Sequence, residues 1–223
     1  MKRWTGIMVF LLLVKQLSAQ EKLPLKEQFT STDKPFIFLV SGDGGVKGFT
    51  ASLCNAMHDK GYSIVSLDAH AYFWNKKTPE QTASDITNYL TTALRSRANH
   101  HWVMIGYSFG ADITPFVVNR LPDSLKSQLA DVILLSPSTS TDFEIHLSDM
   151  LGIGKKRSMD VVAEINRLGN QKTTILFGED ESGFPISQVK LAKYHSDVIK
   201  GGHHFDGNFQ AVAEKITDII NNK

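Results

Sequence analysis

The residues with the clearest chemical meaning lie at 103–110, where an apolar run ends in the pattern Gly-x-Ser-x-Gly around Ser108. In a nucleophile elbow a strand ends at this pattern, the chain turns sharply and a helix begins, which exposes one serine hydroxyl at the tip. Gly106 and Gly110 suit such a turn because side chains there would collide with the flanking strand and helix. The pattern occurs by chance in proteins, but here an apolar strand precedes it and helix-compatible residues 111–121 follow it. We therefore expect Ser108 to be a nucleophile.

A serine nucleophile needs a general base, and the base needs an acid that orients it. In elbow folds these groups follow the serine in the order acid, then histidine. A carboxylate-rich loop follows the apolar run 173–177, and Gly-Gly-His-His-Phe comes later in the chain. Loops after parallel strands gather at one edge of a sheet, so both groups are expected beside the serine.

Each of these two roles has two candidates. His203 is the expected base because Gly-His-x-Phe is a frequent ending in elbow proteins, and His204 is the alternative. Glu181 is the expected acid because it stands four residues before a proline, a common spacing in such loops. Asp180 is the alternative, as the only aspartate of the loop. Either carboxylate can hold the imidazole tautomer and stabilise the imidazolium.

The negative oxygen that develops during attack on a carbonyl needs two backbone N–H donors. One is expected from Phe109, directly after the nucleophile, and the other from Asp43 or Gly44 in the loop Ser-Gly-Asp-Gly-Gly. Gly42 and Gly45 let this loop approach a substrate closely. The loop lacks the Gly-Lys-Ser/Thr ending of a P-loop and the dinucleotide fingerprint, so an oxyanion site is favoured over a phosphate site.

Other polar and aromatic residues are candidates for substrate contacts. Tyr72 and Trp74 follow the second apolar run and would line the site or pack beneath a loop. Asp112 stands one helical turn after the serine, where it would bind a cationic group or make a structural hydrogen bond. No cofactor is expected, and no histidine or cysteine cluster has the spacing of metal ligands.

Strand-like and helical segments alternate along the chain, which predicts an α/β fold with a mostly parallel sheet and helices on both faces. The strands are apolar throughout rather than alternating, as is typical of strands covered on both sides. Residues 20–34 are expected to form an N-terminal arm or an edge strand. Strands are predicted at 36–40, 63–67, 102–105, 132–136, 173–177 and 197–199, and helices at 49–60, 79–97, 109–121, 158–168, 187–194 and 206–222.

The N-terminus has the pattern of a cleaved export signal: a basic start, an apolar run over 7–14 and a small residue at Ala19. The run is shorter than the roughly 20 residues that span a bilayer. A signal peptide is therefore predicted over 1–19 and a single domain over 20–223. Segment 138–157 lacks a clear period and is expected to be a small cap or an ordinary surface loop.

Composition limits the possible partners of the chain. The formal net charge of +1 gives no reason to expect nucleic acid. The one cysteine, Cys54, excludes an internal disulfide and is expected to be packed. The part after the signal has no long amphipathic or basic stretch, so contact with a membrane surface would be transient.

Several longer stretches resemble the VirJ/AcvB virulence-protein family of α/β-hydrolases. The matching segments are Ser41–Gly45, Leu67-Asp68 with Tyr72–Trp74, Thr78–Glu80, Gly106–Asp112, Asn119–Pro122 and Gly201–Asp206. The chain departs from the family at Val46, where relatives tend to have tryptophan, and at Phe184, where they tend to have cysteine.

This resemblance implies a periplasmic serine hydrolase in which Ser108 is the nucleophile and His203 the base. AcvB-like members are associated with hydrolysis of aminoacylated phosphatidylglycerol, notably the lysyl form, and VirJ-like members with secretion-system proteins. The expected activity is therefore cleavage of a small-molecule or lipid-headgroup ester. A non-catalytic periplasmic adaptor and a broad esterase or thioesterase are the alternatives.

Overall fold

The computed structural model describes residues 23–146 and 157–222. The strands are β1 Leu25–Gln28, β2 Phe36–Val40, β3 Ile64–Leu67, β4 Trp102–Tyr107, β5 Leu129–Leu135, β6 Ser140–Thr141, β7 Met159–Asp160, β8 Thr173–Gly178 and β9 Tyr194–Ile199. The helices are α1 Gly48–Asp59, α2 Ala69–Tyr72, α3 Pro79–Arg95, α4 Phe109–Arg120, α5 Asp123–Lys126, α6 Val161–Asn166 and α7 Phe209–Asn221, with 3₁₀ turns at Ile186–Gln188 and Phe205–Gly207.

One sheet of seven strands, in the order β1-β3-β2-β4-β5-β8-β9, organises the fold. The pairs from β3 to β9 are parallel, and β1 runs antiparallel along β3 at one edge. The predicted parallel α/β sheet is therefore confirmed, and part of segment 20–34 forms its edge strand. The parallel arrangement brings the carboxyl ends of β2, β4, β5, β8 and β9 to the same edge.

Two hydrophobic clusters cover the two faces of this sheet. In β2, Phe36 and Phe38 belong to the cluster with α3 and α4, whereas Ile37 and Leu39 belong to the cluster with α1 and α7. Successive side chains of a strand point to opposite faces, so a strand covered on both sides must be apolar at every position. This explains the uninterrupted apolar runs of the sequence.

The predicted start of α3 is also confirmed. The Thr78 hydroxyl accepts a hydrogen bond from the Gln81 N–H, and the Gln81 side chain accepts one from the Thr78 N–H, which forms a capping box. Pro79 occupies the first helical position, where its missing N–H is not needed.

The helix predicted at 187–194 is wrong. The structure has a 3₁₀ turn at Ile186–Gln188, extended chain after it, and β9 from Tyr194. Val189 and Leu191 are buried while Lys190 between them is exposed, so the apolar residues follow the period of two of an extended chain.

The base of segment 138–157 is closed by the antiparallel pair β6–β7. Phe143 is fully buried and its ring contacts those of Phe73 and Phe116. The remainder of the segment, 147–156, lies outside the described residues, as does the signal peptide predicted over 1–19. Within the described ranges no helix has the length and apolar character that a membrane span requires.

Candidate active site

Ser108 lies between the end of β4 and the start of α4, with φ of 52° and ψ of −120°. A non-glycine residue in this region is strained and is held there by its surroundings. The Ser108 N–H donates to the carbonyl of Leu135 at 2.8 Å. A Cβ atom on Gly106 would lie 2.4 Å from the Gly110 carbonyl oxygen, and one on Gly110 would lie 2.1 Å from the Val40 oxygen. Only glycine therefore fits at both positions of the turn.

A continuous set of hydrogen bonds joins the serine to a carboxylate. Ser108 Oγ lies 2.8 Å from His203 Nε2, and His203 Nδ1 lies 2.7 Å from Glu181 Oε1. The other carboxylate oxygen accepts bonds from the Ser136 hydroxyl and the Gly178 N–H, both at 2.6 Å. The structure thus brings together residues that are 95 and 22 positions apart in the chain.

The surroundings keep Glu181 ionised. Its burial alone would raise the carboxyl pKa, but the hydrogen bonds from His203, Ser136 and Gly178 outweigh burial and lower the pKa below its ordinary value. The bond from Glu181 in turn raises the pKa of His203 against the opposing effect of burial. With its Nδ1–H donated to the carboxylate, the neutral imidazole presents an unprotonated Nε2 to the serine, as a base must.

The two alternative candidates point elsewhere. The Asp180 side chain is exposed, and its backbone N–H donates to the Gly201 carbonyl at 3.1 Å. His204 Nδ1 lies 2.5 Å from the Tyr107 hydroxyl, to which it is hydrogen-bonded, so its ring is directed at the residue before the serine. The structure therefore joins His203 and Glu181, and not their neighbours, to Ser108.

The glycine loop after β2 runs past the serine. A Cβ atom on Gly42 would lie 3.4 Å from Ser108 Cβ, so this part of the loop is in contact with the serine. Within the described part of the chain, the backbone N–H groups of Phe109, Asp43 and Gly44 have no hydrogen-bond acceptor. These are the donors expected for an oxyanion, and they remain available to one.

Residues after β3 hold the glycine loop in place. His70 Nδ1 donates to the Asp43 carbonyl at 2.8 Å, which orients that peptide unit. The Asp68 carboxylate accepts from the N–H of Val46 at 3.3 Å and from the N–H of Ala71 at 3.1 Å. A Cβ atom on Gly45 would lie 2.6 Å from an Asp68 carboxylate oxygen, so a side chain at Gly45 would displace that carboxylate.

Asp112 makes a structural connection and does not offer a free carboxylate. It is buried, and its two oxygens accept from the Ser138 N–H at 2.6 Å and the Ser138 hydroxyl at 2.7 Å. Burial raises its pKa to about 7, against the effect of these bonds. Asp112 therefore fixes the chain after β5 to α4, and a cationic substrate group would have to displace Ser138 to reach it.

The contacts described for the aromatic candidates after β3 are with residues other than the serine. Tyr72 is buried, and its hydroxyl donates to Asp85 of α3 at 2.6 Å. Trp74 is exposed and its ring contacts that of His70, 5.4 Å between centroids. Phe73, which lies between Tyr72 and Trp74 in the chain, contacts the residue after the serine: its ring centroid lies 5.2 Å from that of Phe109.

Three residues of the site were not identified from the sequence: Tyr107, Ser136 and Ser138. Ser136 bonds Glu181, and it directly follows β5, at the edge where the carboxyl ends of the strands meet. That position was the available signal, because ligands and catalytic groups gather there.

One group of potential metal ligands exists among the described residues, formed by Asp142, Glu144 and His146 after β6. Their ligand atoms lie within 4.8 Å of one another. His146 Nε2 already bonds Asp142 at 2.7 Å, so two of the three groups are paired with each other.

Comparison with known proteins agrees with this geometry. The family model described as bacterial virulence protein (VirJ) matches residues 34–223. No curated protein is similar enough to this chain to be a recognisable relative.

Solved structures with the same fold are α/β-hydrolases. Est1E from Butyrivibrio proteoclasticus has a TM-score of 0.61 at 13% identity, covering 88% of this chain and 91% of that one. Proline iminopeptidase from Mycobacterium smegmatis has a TM-score of 0.63 at 12% identity, covering 88% and 93%. A lipase-esterase related protein from Clostridium acetobutylicum has a TM-score of 0.61 at 17% identity, covering 88% and 98%. At these identities the likeness establishes the α/β-hydrolase fold.

Proposed function

The chain belongs to the VirJ family of bacterial virulence proteins, and on this premise we propose that it is an exported serine hydrolase that cleaves a carboxylic ester. The observation that carries the proposal is the bonded series Ser108–His203–Glu181, with distances of 2.8 and 2.7 Å. A serine with a base in hydrogen-bond reach, and an acid behind that base, is the arrangement for nucleophilic acyl transfer.

In this mechanism Ser108 Oγ attacks the ester carbonyl carbon while His203 Nε2 takes its proton. The imidazolium that forms is stabilised by Glu181, which keeps its negative charge. His203 then gives the proton to the leaving alcohol oxygen, and the acyl group stays on the serine. A water molecule, deprotonated by the same imidazole, releases the acid and restores the serine.

The free N–H groups beside the serine supply electrostatic stabilisation of the tetrahedral intermediate. The negative oxygen of the tetrahedral intermediate accepts from Phe109 N–H and from Asp43 or Gly44. These donors are fixed before substrate arrives, because α4 holds the first and His70 holds the loop of the other two. One such donor is worth about a hundredfold to a thousandfold in rate.

An aminoacyl ester of phosphatidylglycerol, notably the lysyl ester, is the proposed substrate, and the family resemblance is its source. A desolvated ammonium group needs an opposite charge. Asp43 is proposed for this role because the glycine loop that carries it runs past Ser108, whereas the Asp112 oxygens are both bonded to Ser138.

The test is reaction with a fluorophosphonate probe, together with turnover of p-nitrophenyl acetate and of lysyl-phosphatidylglycerol in vesicles. We expect wild type to be labelled and Ser108→Ala to be neither labelled nor active. Ser124→Ala, which removes an exposed serine of α5, is the matched control and should behave as wild type. Equal turnover by Ser108→Ala would refute the serine mechanism. A folded wild-type protein that no probe labels would favour the adaptor alternative, and turnover of p-nitrophenyl acetate without the lysyl lipid would favour a broad esterase.

Export is proposed from the pattern of residues 1–19. Expression in a Gram-negative host and N-terminal sequencing of the periplasmic fraction should find a mature chain that begins at Gln20. A chain that keeps Met1 and stays in the cytoplasmic fraction would contradict this proposal.

A further inference from the structure

One face of the last strand, β9, is left uncovered next to the site. Lys215 of α7 contacts Asp197, and Ile199 packs with the same helix, so α7 covers the second half of one face of β9, while His195 on that face is exposed. On the opposite face, Tyr194, Ser196 and Val198 are exposed, with Val198 at 57%. A crossover helix between β8 and β9 would cover these residues, but the connection holds only the 3₁₀ turn at Ile186–Gln188.

The uncovered face of β9, together with Phe177 near the end of β8, forms the floor of a cleft of about 650 Å³. Phe177 of β8 is paired in register with Val198, so both side chains point into it. Phe184 and Ile186 form one wall, with the ring of Phe184 5.1 Å from that of Phe177. Glu181 and His203 form the inner end of the cleft. The other wall is the chain after β5 and consists of Ser136, Pro137, Ser138 and Thr139.

The position of the cleft indicates which half of an ester would enter it. Four groups surround the carbon of the tetrahedral intermediate: Ser108 Oγ, the negative oxygen, the acyl chain and the leaving oxygen. The negative oxygen faces the N–H groups of Phe109 and the glycine loop. The leaving oxygen must face His203 Nε2, from which it receives its proton. The cleft is lined by His203 and not by Phe109 or the glycine loop, so it begins on the side of the leaving oxygen.

The charges in the cleft are already paired. Glu181 is bonded to His203, Ser136 and Gly178, and the Asp197 carboxylate is paired with Lys215. No lysine or arginine is among the lining residues that the structure describes. The cleft therefore offers apolar surface and neutral hydroxyls to a ligand rather than a counter-ion.

We propose that this cleft binds the alcohol half of the ester, and that it favours an alcohol with an apolar chain or ring. The inference rests on the serine-hydrolase part of the proposed function, because it takes Ser108 and His203 as nucleophile and proton donor. It does not rest on the lysyl ester of phosphatidylglycerol, whose alcohol half carries a phosphate, so simple alkyl esters test it independently of that lipid. It adds that specificity for the leaving group comes from Phe177 of β8 and from the face of β9 that no helix covers.

Two series of esters test this assignment. In the first, the acyl group is acetyl and the alcohol grows from ethyl to hexyl, which leaves the reactivity of the leaving group nearly constant. A fully buried methylene strengthens binding about fourfold, and about half of that burial is expected in an open cleft. The four added methylenes from ethyl to hexyl should therefore raise kcat/KM about tenfold to twentyfold. In the second, ethyl esters from acetate to hexanoate should stay within about threefold, since the acyl chain lies outside the cleft.

Val198→Asp and Val198→Lys place a charge on the floor of the cleft at an exposed position. Both should reduce the ratio of kcat/KM for hexyl and ethyl acetate to about one, because a methylene beside a charge gains little. Phe29→Asp is the matched control: Phe29 is an exposed apolar residue, at 54%, outside the cleft, and its variant should keep the wild-type ratio.

The outcomes separate the cleft from the chemistry. If wild type hydrolyses no ester and reacts with no fluorophosphonate, the proposed function fails. The assignment of the cleft is overturned if wild type hydrolyses esters but kcat/KM depends on the length of the acyl chain and not on that of the alcohol. It is also overturned if both Val198 variants are labelled by the fluorophosphonate, and so are folded, but keep the wild-type ratio of kcat/KM for hexyl and ethyl acetate.

Discussion

Replacing Glu181 with glutamine is the sharpest perturbation of the proposed relay. The Oε2 atom of Glu181 accepts two bonds, from Ser136 and from Gly178, whereas Oε1 accepts one from His203. A glutamine has one accepting oxygen, and two donors hold it at the Oε2 position. Its NH₂ group then faces His203 Nδ1 and requires that nitrogen to be an acceptor.

This exchange reverses the tautomer of the base. The proton of the imidazole moves to Nε2, which then donates towards Ser108 and cannot take its proton. An analogous change of acid to amide in a serine triad lowers kcat by about 10⁴, or about 5.5 kcal/mol in activation free energy. We expect a loss of this order for Glu181→Gln, measured as kcat for p-nitrophenyl acetate, with KM changed little.

The pH profile supplies a second readout of the same variant. Glu181 raises the pKa of His203, so in wild type the base is lost to protonation at a higher pH than for an ordinary histidine. Without the carboxylate, that pKa falls and the acidic limb of kcat/KM moves to lower pH. A variant that was merely misfolded would lose activity without this shift.

Asp180→Asn is the matched control, since it makes the same change one residue away on an exposed side chain. We expect it to keep kcat within about twofold, as is usual for exposed substitutions away from such contacts. Retained activity in Glu181→Gln together with a large loss in Asp180→Asn would refute the assignment of the acid.

Two further predictions concern stability. Gly110→Ala would place a Cβ atom 2.1 Å from the Val40 oxygen, so chemical denaturation should show that the free energy of unfolding falls by about 3 kcal/mol or more. A Cβ atom on Gly44 would have no neighbour within 4 Å, so Gly44→Ala is the control and should lose far less stability. Equal losses in the two variants would contradict the packing of the elbow. Asp112 has a pKa raised from 3.8 to about 7, so it takes up a proton on folding, and its contribution to stability is full below about pH 4 and declines as the pH rises to 7. Asp112→Asn should flatten that part of the stability profile, and an unchanged slope would refute the proposed burial effect.

Much of the sheet and the elbow is predictable from local sequence, because a strand covered on both faces leaves an unbroken apolar run. Phe36–Val40 and Trp102–Tyr107 show this directly, since every residue of both strands is buried. The turn at Ser108 is equally local, because close packing excludes any side chain at the two glycines. Long separations along the chain are harder, yet the order serine, acid, histidine predicts His203 and Glu181, the residues that the structure joins to Ser108 by hydrogen bonds.

Two kinds of feature were not predictable in this way. The connection 186–193 has only two buried apolar residues, Val189 and Leu191, and so short a pattern does not separate a period of two from a helical period. The pairing of Asp112 with Ser138 depends on tertiary contact between α4 and the chain after β5, and a buried carboxylate gives no local signal of its partner. β9 was only half recognised because its first residues, Tyr194, His195 and Ser196, are those of an exposed edge.

The strained backbone at Ser108 has a practical consequence for anyone who handles the purified protein. Its φ of 52° is maintained by the packing of the whole elbow, so the proposed nucleophile adopts this geometry only in molecules whose sheet is assembled. Active-site titration with an organophosphorus reagent would then count native molecules in a preparation. The shortfall from one bound reagent per protein chain would give the fraction of denatured protein, and the measurement does not require knowledge of the natural substrate.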